Sequence, residues 1–134
     1  MLYFAYGSNL NHFQMKRRCK DSKFIKKINL KGYTLNFRSK YRAADIEKKN
    51  NSIVPGGLYE ISKSDEKKLD IYEDYPILYK KMYFKYYNNT VMTYIMPKKT
   101  IFRYPTERYL NVVEQGYKDC KLDKKYLKKA LVNF

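Results

Sequence analysis

The run Tyr6-Gly7-Ser8-Asn9-Leu10 joins the end of a strand-like segment to residues that start helices well, and it carries the best anion-binding chemistry in the sequence. The first N–H groups of a helix have no intrahelical partners, so they present partial positive charge to whatever lies ahead of the helix. Gly7 lets the backbone come close to a ligand, and the Ser8 and Asn9 side chains add donors suited to a carboxylate or phosphate. Taken alone, the same five residues also read as an ordinary turn with an N-cap. The second candidate is Glu73, at the C-terminal end of a predicted helix and directly before Asp74-Tyr75-Pro76, where proline disfavours further helix. A carboxylate there faces the partial negative end of the helix, which disfavours ionisation and makes it a stronger base, with Tyr72 and Tyr75 as apolar cover. Without other information Glu73 is equally a solvated carboxylate like Glu60, Glu66 or Asp74.

The elements that must position these residues follow from hydrophobic spacing. Leu2 to Tyr6 reads as a short buried strand, and His12 to Cys19 as about two helical turns after the caps Ser8, Asn9 and Asn11. Two strand-like runs, Lys23 to Leu30 and Tyr33 to Tyr41, flank Lys31-Gly32 in a hairpin-like position. Ala43 to Ser52 is charged and Asn-rich and reads as an exposed loop. Ile53 to Ile61 resumes a strand, in which Pro55, Gly56 and Gly57 predict an edge or a bulge. Ser62 with Asp65 forms a capping pattern for the helix that leads to Glu73. Leu78 to Tyr87 and Thr90 to Met96 form a hairpin about Asn88-Asn89, and two helices follow, from Thr106 to Asp119 and around Tyr126 to Leu131. About six strands with short helices, without regular strand-helix alternation, predict a single α+β domain over residues 1–134, its mixed sheet curled toward a partly closed barrel.

Bulk composition narrows the function classes. The formal charge of +16 favours anionic partners, but the basic residues come singly or in short groups such as Lys16-Arg17-Arg18 and Lys128-Lys129 rather than in one block. That pattern fits a solvated surface and argues against nucleic acid as the partner. The apolar runs are too short to span a bilayer, and Met1 to Tyr6 has no basic leader-like region, so the expected location is the cytoplasm, away from membranes. Cys19 and Cys120, with the single His12, form no metal-ligand or nucleophile pattern and read as structural.

Leu2-Tyr3-Phe4-Ala5-Tyr6-Gly7-Ser8-Asn9-Leu10 resembles the N-terminal motif of the gamma-glutamylcyclotransferase family. Three further segments agree in order and spacing: Gly57-Leu58-Tyr59-Glu60-Ile61 with the family's central strand, Leu69-Asp70-Ile71-Tyr72-Glu73 with the segment that delivers its glutamate, and Pro105, Tyr109, Gly116, Leu122 and Tyr126 with its C-terminal helices. The resemblance implies an enzyme that needs no cofactor or metal and cyclises a small gamma-glutamyl compound to 5-oxoproline. Glu73 would be the acid/base, and Tyr6, Gly7, Ser8, Asn9, Leu10, Tyr79 and Tyr109 would bind substrate. Free dipeptides, glutathione, gamma-glutamyl-lysine and biosynthetic intermediates all remain possible substrates, and the protein is expected to be a monomer or homodimer. Asp74 departs from the pattern, since many relatives carry glycine there; its carboxylate would either raise the Glu73 pKa or face solvent. Two other readings stay open: a non-catalytic member of the same fold that binds a small carboxylate, and a basic interaction protein.

Overall fold

The apolar stretch Leu2–Ala5 (β1) is the middle strand of a five-stranded mixed sheet in the computed structural model, which describes residues 1–132. It pairs antiparallel with β3 (Ala43–Glu60) on one side and parallel with β5 (Asn89–Ile95) on the other. The edges are β2 (Lys23–Arg38) and β4 (Lys80–Tyr86), giving the order β2-β3-β1-β5-β4. The sheet is curled but not closed. Its two edge strands approach only through side chains, with Tyr33 Oη 3.3 Å from Met82 Sδ and Lys26 Nζ 5.2 Å from the Tyr86 ring centroid. The fold is therefore α+β as expected, with an open sheet in place of a partly closed barrel and five strands in place of six.

The lost strand is explained by Gly32. It lies at φ +82°, in the left-handed region glycine tolerates, and marks an irregularity inside one long strand rather than a hairpin turn. The actual turn is at Ser39 to Arg42, both of which have positive φ, closed by the Arg42 N–H donating to Ser39 O at 3.0 Å. The predicted loop from Ala43 to Ser52 is strand as well. Lys48 and Lys49 face solvent while Ala44, Asp45 and Ile46 are buried, and the ladder to β2 satisfies its backbone. Pro55, Gly56 and Gly57 lie in a central strand, not at an edge. A Cβ on Gly56 would fall 2.4 Å from Ala5 O and 2.5 Å from the Phe4 ring, so glycine allows β1 to come this close.

The helices cover the sheet around the start of the chain. After β1, Ser8–Leu10 forms a single 3-10 turn, and α1 (His12–Arg18) follows, its N-cap Asn11 accepting from the Gln14 N–H at 3.0 Å. Helix α2 (Lys63–Tyr72) has the expected capping box, with Ser62 Oγ accepting from Asp65 N–H at 3.0 Å and Asp65 Oδ2 from Ser62 N–H at 3.2 Å. The hairpin β4–β5 turns at Tyr87-Asn88, one residue before the predicted position, with Tyr87 in the left-handed region. Helix α3 (Glu107–Asp119) packs on the 3-10 turn, and α4 (Lys125–Leu131) on β2. The core runs between these layers through Phe4, Leu10, Met15, Phe37, Leu69 and Tyr117, each fully buried. Among the described residues no helix is long and apolar enough to cross a membrane.

Candidate active site

Where β1 gives way to the 3-10 turn, the chain passes so close to β3 that a Cβ on Gly7 would fall 3.1 Å from Ala44 Cβ and 3.2 Å from Tyr109 Oη. The space that glycine leaves is thus taken by protein, and Gly7 serves the packing of the loop as well as access to its backbone. Behind the loop, Leu10 is fully buried, and the Cys120 thiol donates to its carbonyl at 3.3 Å. Burial pushes the thiols of Cys19 and Cys120 up to about 12, which leaves both as inert core groups. Among the described residues no cluster of His, Cys, Asp or Glu could hold a metal ion.

Glu73 reaches the same place from the other direction. It caps the C-terminal end of α2, its N–H donating to Leu69 O at 2.8 Å. Helix α2 is braced against the sheet by a network in which Tyr94 Oη donates to Asp70 Oδ1 at 2.6 Å and Lys81 Nζ reaches Glu66 Oε2 at 2.9 Å and Asp70 Oδ2 at 3.1 Å. The chain then leaves the helix through Asp74, whose φ of +52° is left-handed, a region that Asp tolerates better than most residues. Glycine would tolerate the same geometry. Asp74 is exposed, and the Glu73 pKa is set by burial and Arg18 rather than by its neighbour.

The two segments enclose one cavity of about 560 Å³. Its walls include Glu73, Tyr6, Gly7, Ser8, Asn9, Tyr79 and Tyr109; of the residues expected from the sequence only Leu10 stays outside, in the core behind the loop. The volume falls within the range usual for small-molecule sites. Ser8 Oγ lies 3.1 Å from Tyr72 Oη, which ties the loop to the residue before Glu73.

Electrostatically the site centres on the Glu73 carboxyl group, with the exposed Asp74 also on the cavity wall. Glu73 is partly exposed, to the cavity, and its carboxyl group has no hydrogen-bond or ion-pair partner among the described residues. Crowding by protein pushes its pKa up to about 8, and the positive charge of Arg18 acts in the opposite direction. Burial, joined by the negative charge of Glu73, also holds the phenols of Tyr3, Tyr6 and Tyr79 well above their ordinary range, so they stay neutral.

The hydrogen bonds of these phenols sort them by what they can still do. Tyr6 Oη donates to Tyr94 O at 2.7 Å and Tyr79 Oη to Ala44 O at 2.6 Å, so both spend their proton on the backbone. Tyr109 Oη instead accepts from the Ala44 N–H at 3.1 Å, and Tyr3 Oη accepts from Asn9 Nδ2 at 3.0 Å. Each of these two keeps a proton that can be given to a ligand oxygen. Tyr3 was not singled out by the sequence, nor was Arg18, whose Nη1 donates to Asn9 Oδ1 at 2.6 Å and to Ser8 Oγ at 3.1 Å. The position of Arg18, one helix after the loop, was the available signal, but in Lys16-Arg17-Arg18 it reads as surface charge.

Comparison with known proteins now bears on this arrangement. The sequence profile of the family described as "Gamma-glutamyl cyclotransferase, AIG2-like" matches residues 3–117, which include both Glu73 and the loop. The chain belongs to this family. No curated protein matches it significantly. Among solved structures, one titled "Gamma-glutamyl cyclotransferase" superposes with a TM-score of 0.82 at 24% identity, over 98% of this chain and 86% of the other. The uncharacterized human protein loc79017 gives a TM-score of 0.81 at 25% identity, over 98% and 86%. YkqA of Bacillus subtilis gives 0.81 at 22% identity, covering all of this chain and 55% of its own. In this gamma-glutamyl cyclotransferase family member, the cavity between loop and α2 is the candidate active site.

Proposed function

We propose that the protein cyclises a gamma-glutamyl compound, releasing an amine and 5-oxoproline, with Glu73 as the acid/base. The observation that carries this reading is the Glu73 carboxyl group, raised to about 8, in the same cavity as the Tyr6 to Asn9 loop. In the reaction the substrate's own α-amine attacks its γ-carbonyl carbon. A new C–N bond closes the five-membered ring, and the bond to the departing amine breaks. Nucleophile and electrophile belong to one molecule, so the site has to hold the folded conformer and carry two protons from the α-nitrogen to the departing nitrogen.

The α-amine arrives as an ammonium and must lose a proton before it can attack. A carboxylate whose pKa lies near that of the amine takes the first proton with little energetic penalty and returns it to the leaving nitrogen; a second proton, lost from the ring nitrogen after attack, follows the same route, and the departing group leaves as an ammonium. The backbone of the Gly7 to Asn9 turn, with the charge of Arg18 beside it, would hold the substrate α-carboxylate. Tyr109 and Tyr3, whose phenol protons are not spent on the backbone, would stabilise negative charge on the γ-carbonyl oxygen as the ring closes. Tyr6 and Tyr79 would shape the cavity wall.

The test is to incubate the purified protein with a panel of gamma-glutamyl amino acids, peptides and amines and to assay 5-oxoproline. Wild type should turn over at least one compound, and Glu73→Gln should lower that rate by roughly 10²–10⁴. Turnover by Glu73→Gln at the wild-type rate would remove Glu73 from the chemistry. A panel that is bound but never cyclised would leave a carboxylate-binding protein.

A further inference from the structure

A second cavity, of about 250 Å³, opens beside the first and shares Ser8, Tyr72 and Tyr109 with it as common walls. Its outer side is made by the last turn of α1, with Arg17 and Arg18, and by the first turns of α3, with Thr106 and Arg108. Three guanidinium groups thus line one small space, and no Asp or Glu is among its lining residues.

Their charges are not neutralised elsewhere. Arg17 donates to Gln14 Oε1 at 2.9 Å, and Arg18 donates to Ser8 Oγ and Asn9 Oδ1, all neutral oxygens. Among the described residues none of the three arginines forms an ion pair. Arg17 and Arg108 are exposed and Arg18 is half-buried, whereas the buried Arg38 is matched by Asp45 and Glu47 and the half-buried Lys81 by Glu66 and Asp70. Three like charges held together without a counter-charge raise the local potential, which an anionic group would relieve.

We propose that this cavity is a subsite for a carboxylate on the departing amine, with Arg17 and Arg108 as specificity-determining residues. The inference rests on the cyclotransferase reading and deepens it. With the gamma-glutamyl group between the loop and Glu73, the far end of the substrate extends past the shared wall, and a leaving amine that is an amino acid or peptide brings a carboxylate to the arginines. A guanidinium recognises a carboxylate through charge-assisted, often paired hydrogen bonds, and a neutral amide offers no such partner.

The experiment compares gamma-glutamyl-alanine with its C-terminal amide, two compounds of nearly equal size. Wild type should show a kcat/KM at least about tenfold higher for the acid, mostly through KM, and the ratio should shrink in 0.5 M salt. Arg108→Gln, at an exposed position outside the main cavity, should lower kcat/KM for the acid about five- to tenfold and leave the amide unchanged; Arg17→Gln should act in the same sense. Equal turnover of acid and amide by wild type, or equal losses on both in the variants, would overturn the subsite. Calorimetric titration of both compounds into Glu73→Gln, and into Glu73→Gln combined with Arg108→Gln, reads the subsite without catalysis. If wild type cyclises neither these two compounds nor any other in the panel, the cyclotransferase reading fails while this titration still decides the subsite: tighter binding of the acid that Arg108→Gln abolishes supports it. Equal binding, or none, refutes it.

Discussion

Arg18 and Asn9 meet through a charge-assisted hydrogen bond of 2.6 Å, Nη1 to Oδ1, while the Arg18 guanidinium carbon lies 3.5 Å from the centroid of the Tyr72 ring. One cation therefore spans the loop and the residue before Glu73. Its charge favours the carboxylate form of Glu73, opposing the burial that disfavours it.

Removing that charge predicts a shift in the pH dependence of turnover. Glu73 must be ionised to accept the ammonium proton, so kcat/KM should rise with pH through a limb near 8 in wild type. In Arg18→Gln the limb should move up by about half to one pH unit, with the largest loss of rate below the limb. The kcat/KM profile measured from pH 6 to 10 checks this, and an unmoved limb would mean that Arg18 acts only by holding Ser8 and Asn9.

The same carboxyl group should cost stability, in a defined pH window. Its folded-state value, about 8, lies above the ordinary 4.5, so between those limits the folded protein keeps a proton that the unfolded chain releases. The unfolded state then binds fewer protons, and the Glu73 contribution to stability falls as pH rises through the window. Glu73→Gln has no proton to lose. Urea unfolding should show it more stable than wild type by about 1–3 kcal/mol at pH 8.5 and equal at pH 4. A difference that is constant across pH would contradict a raised pKa.

Physical causes separate what could be read in the sequence from what could not. The capping box at Ser62, β1 and the two C-terminal helices rest on local patterns, and they stand in the structure close to where those patterns put them. The long hairpin misled because Gly32 is an irregularity inside β2, whereas the turn uses Ser39 and Arg42 at positive φ, residue types that seldom announce a turn. The Ala43 to Ser52 strand is polar because much of it faces water, and its pairing with β2 is invisible to composition. Ser8 and Tyr72 lie 64 residues apart, and nothing local says that they touch. The loop and Glu73 were legible through a resemblance that already contains the fold. Arg18 was not, because a basic residue on a short helix looks the same whether it faces solvent or folds back over a loop.

Gly116 links the fold to the site and carries the last prediction. It lies on α3 directly against the 3-10 turn, and a Cβ there would fall 2.5 Å from Leu10 Cβ, 2.6 Å from Asn11 N and 2.7 Å from Leu10 C. Two of these atoms are backbone, so the clash cannot be relieved by rotating a side chain. Two effects then compete in Gly116→Ala. Alanine is the better helix former by about 1 kcal/mol. Overpacking costs about 1–3 kcal/mol, and here it acts on a turn that is also held from behind by the Cys120 thiol. The steric effect should win, lowering the melting temperature by several degrees. Because the displaced atoms belong to Leu10 and Asn11, the shift should pass to Ser8 and Asn9 and lower kcat/KM as well, without moving the pH limb set by Glu73 and Arg18. Thermal unfolding and the kinetic pH profile of Gly116→Ala measure both, and a variant more stable than wild type would show that α3 does not press on the loop.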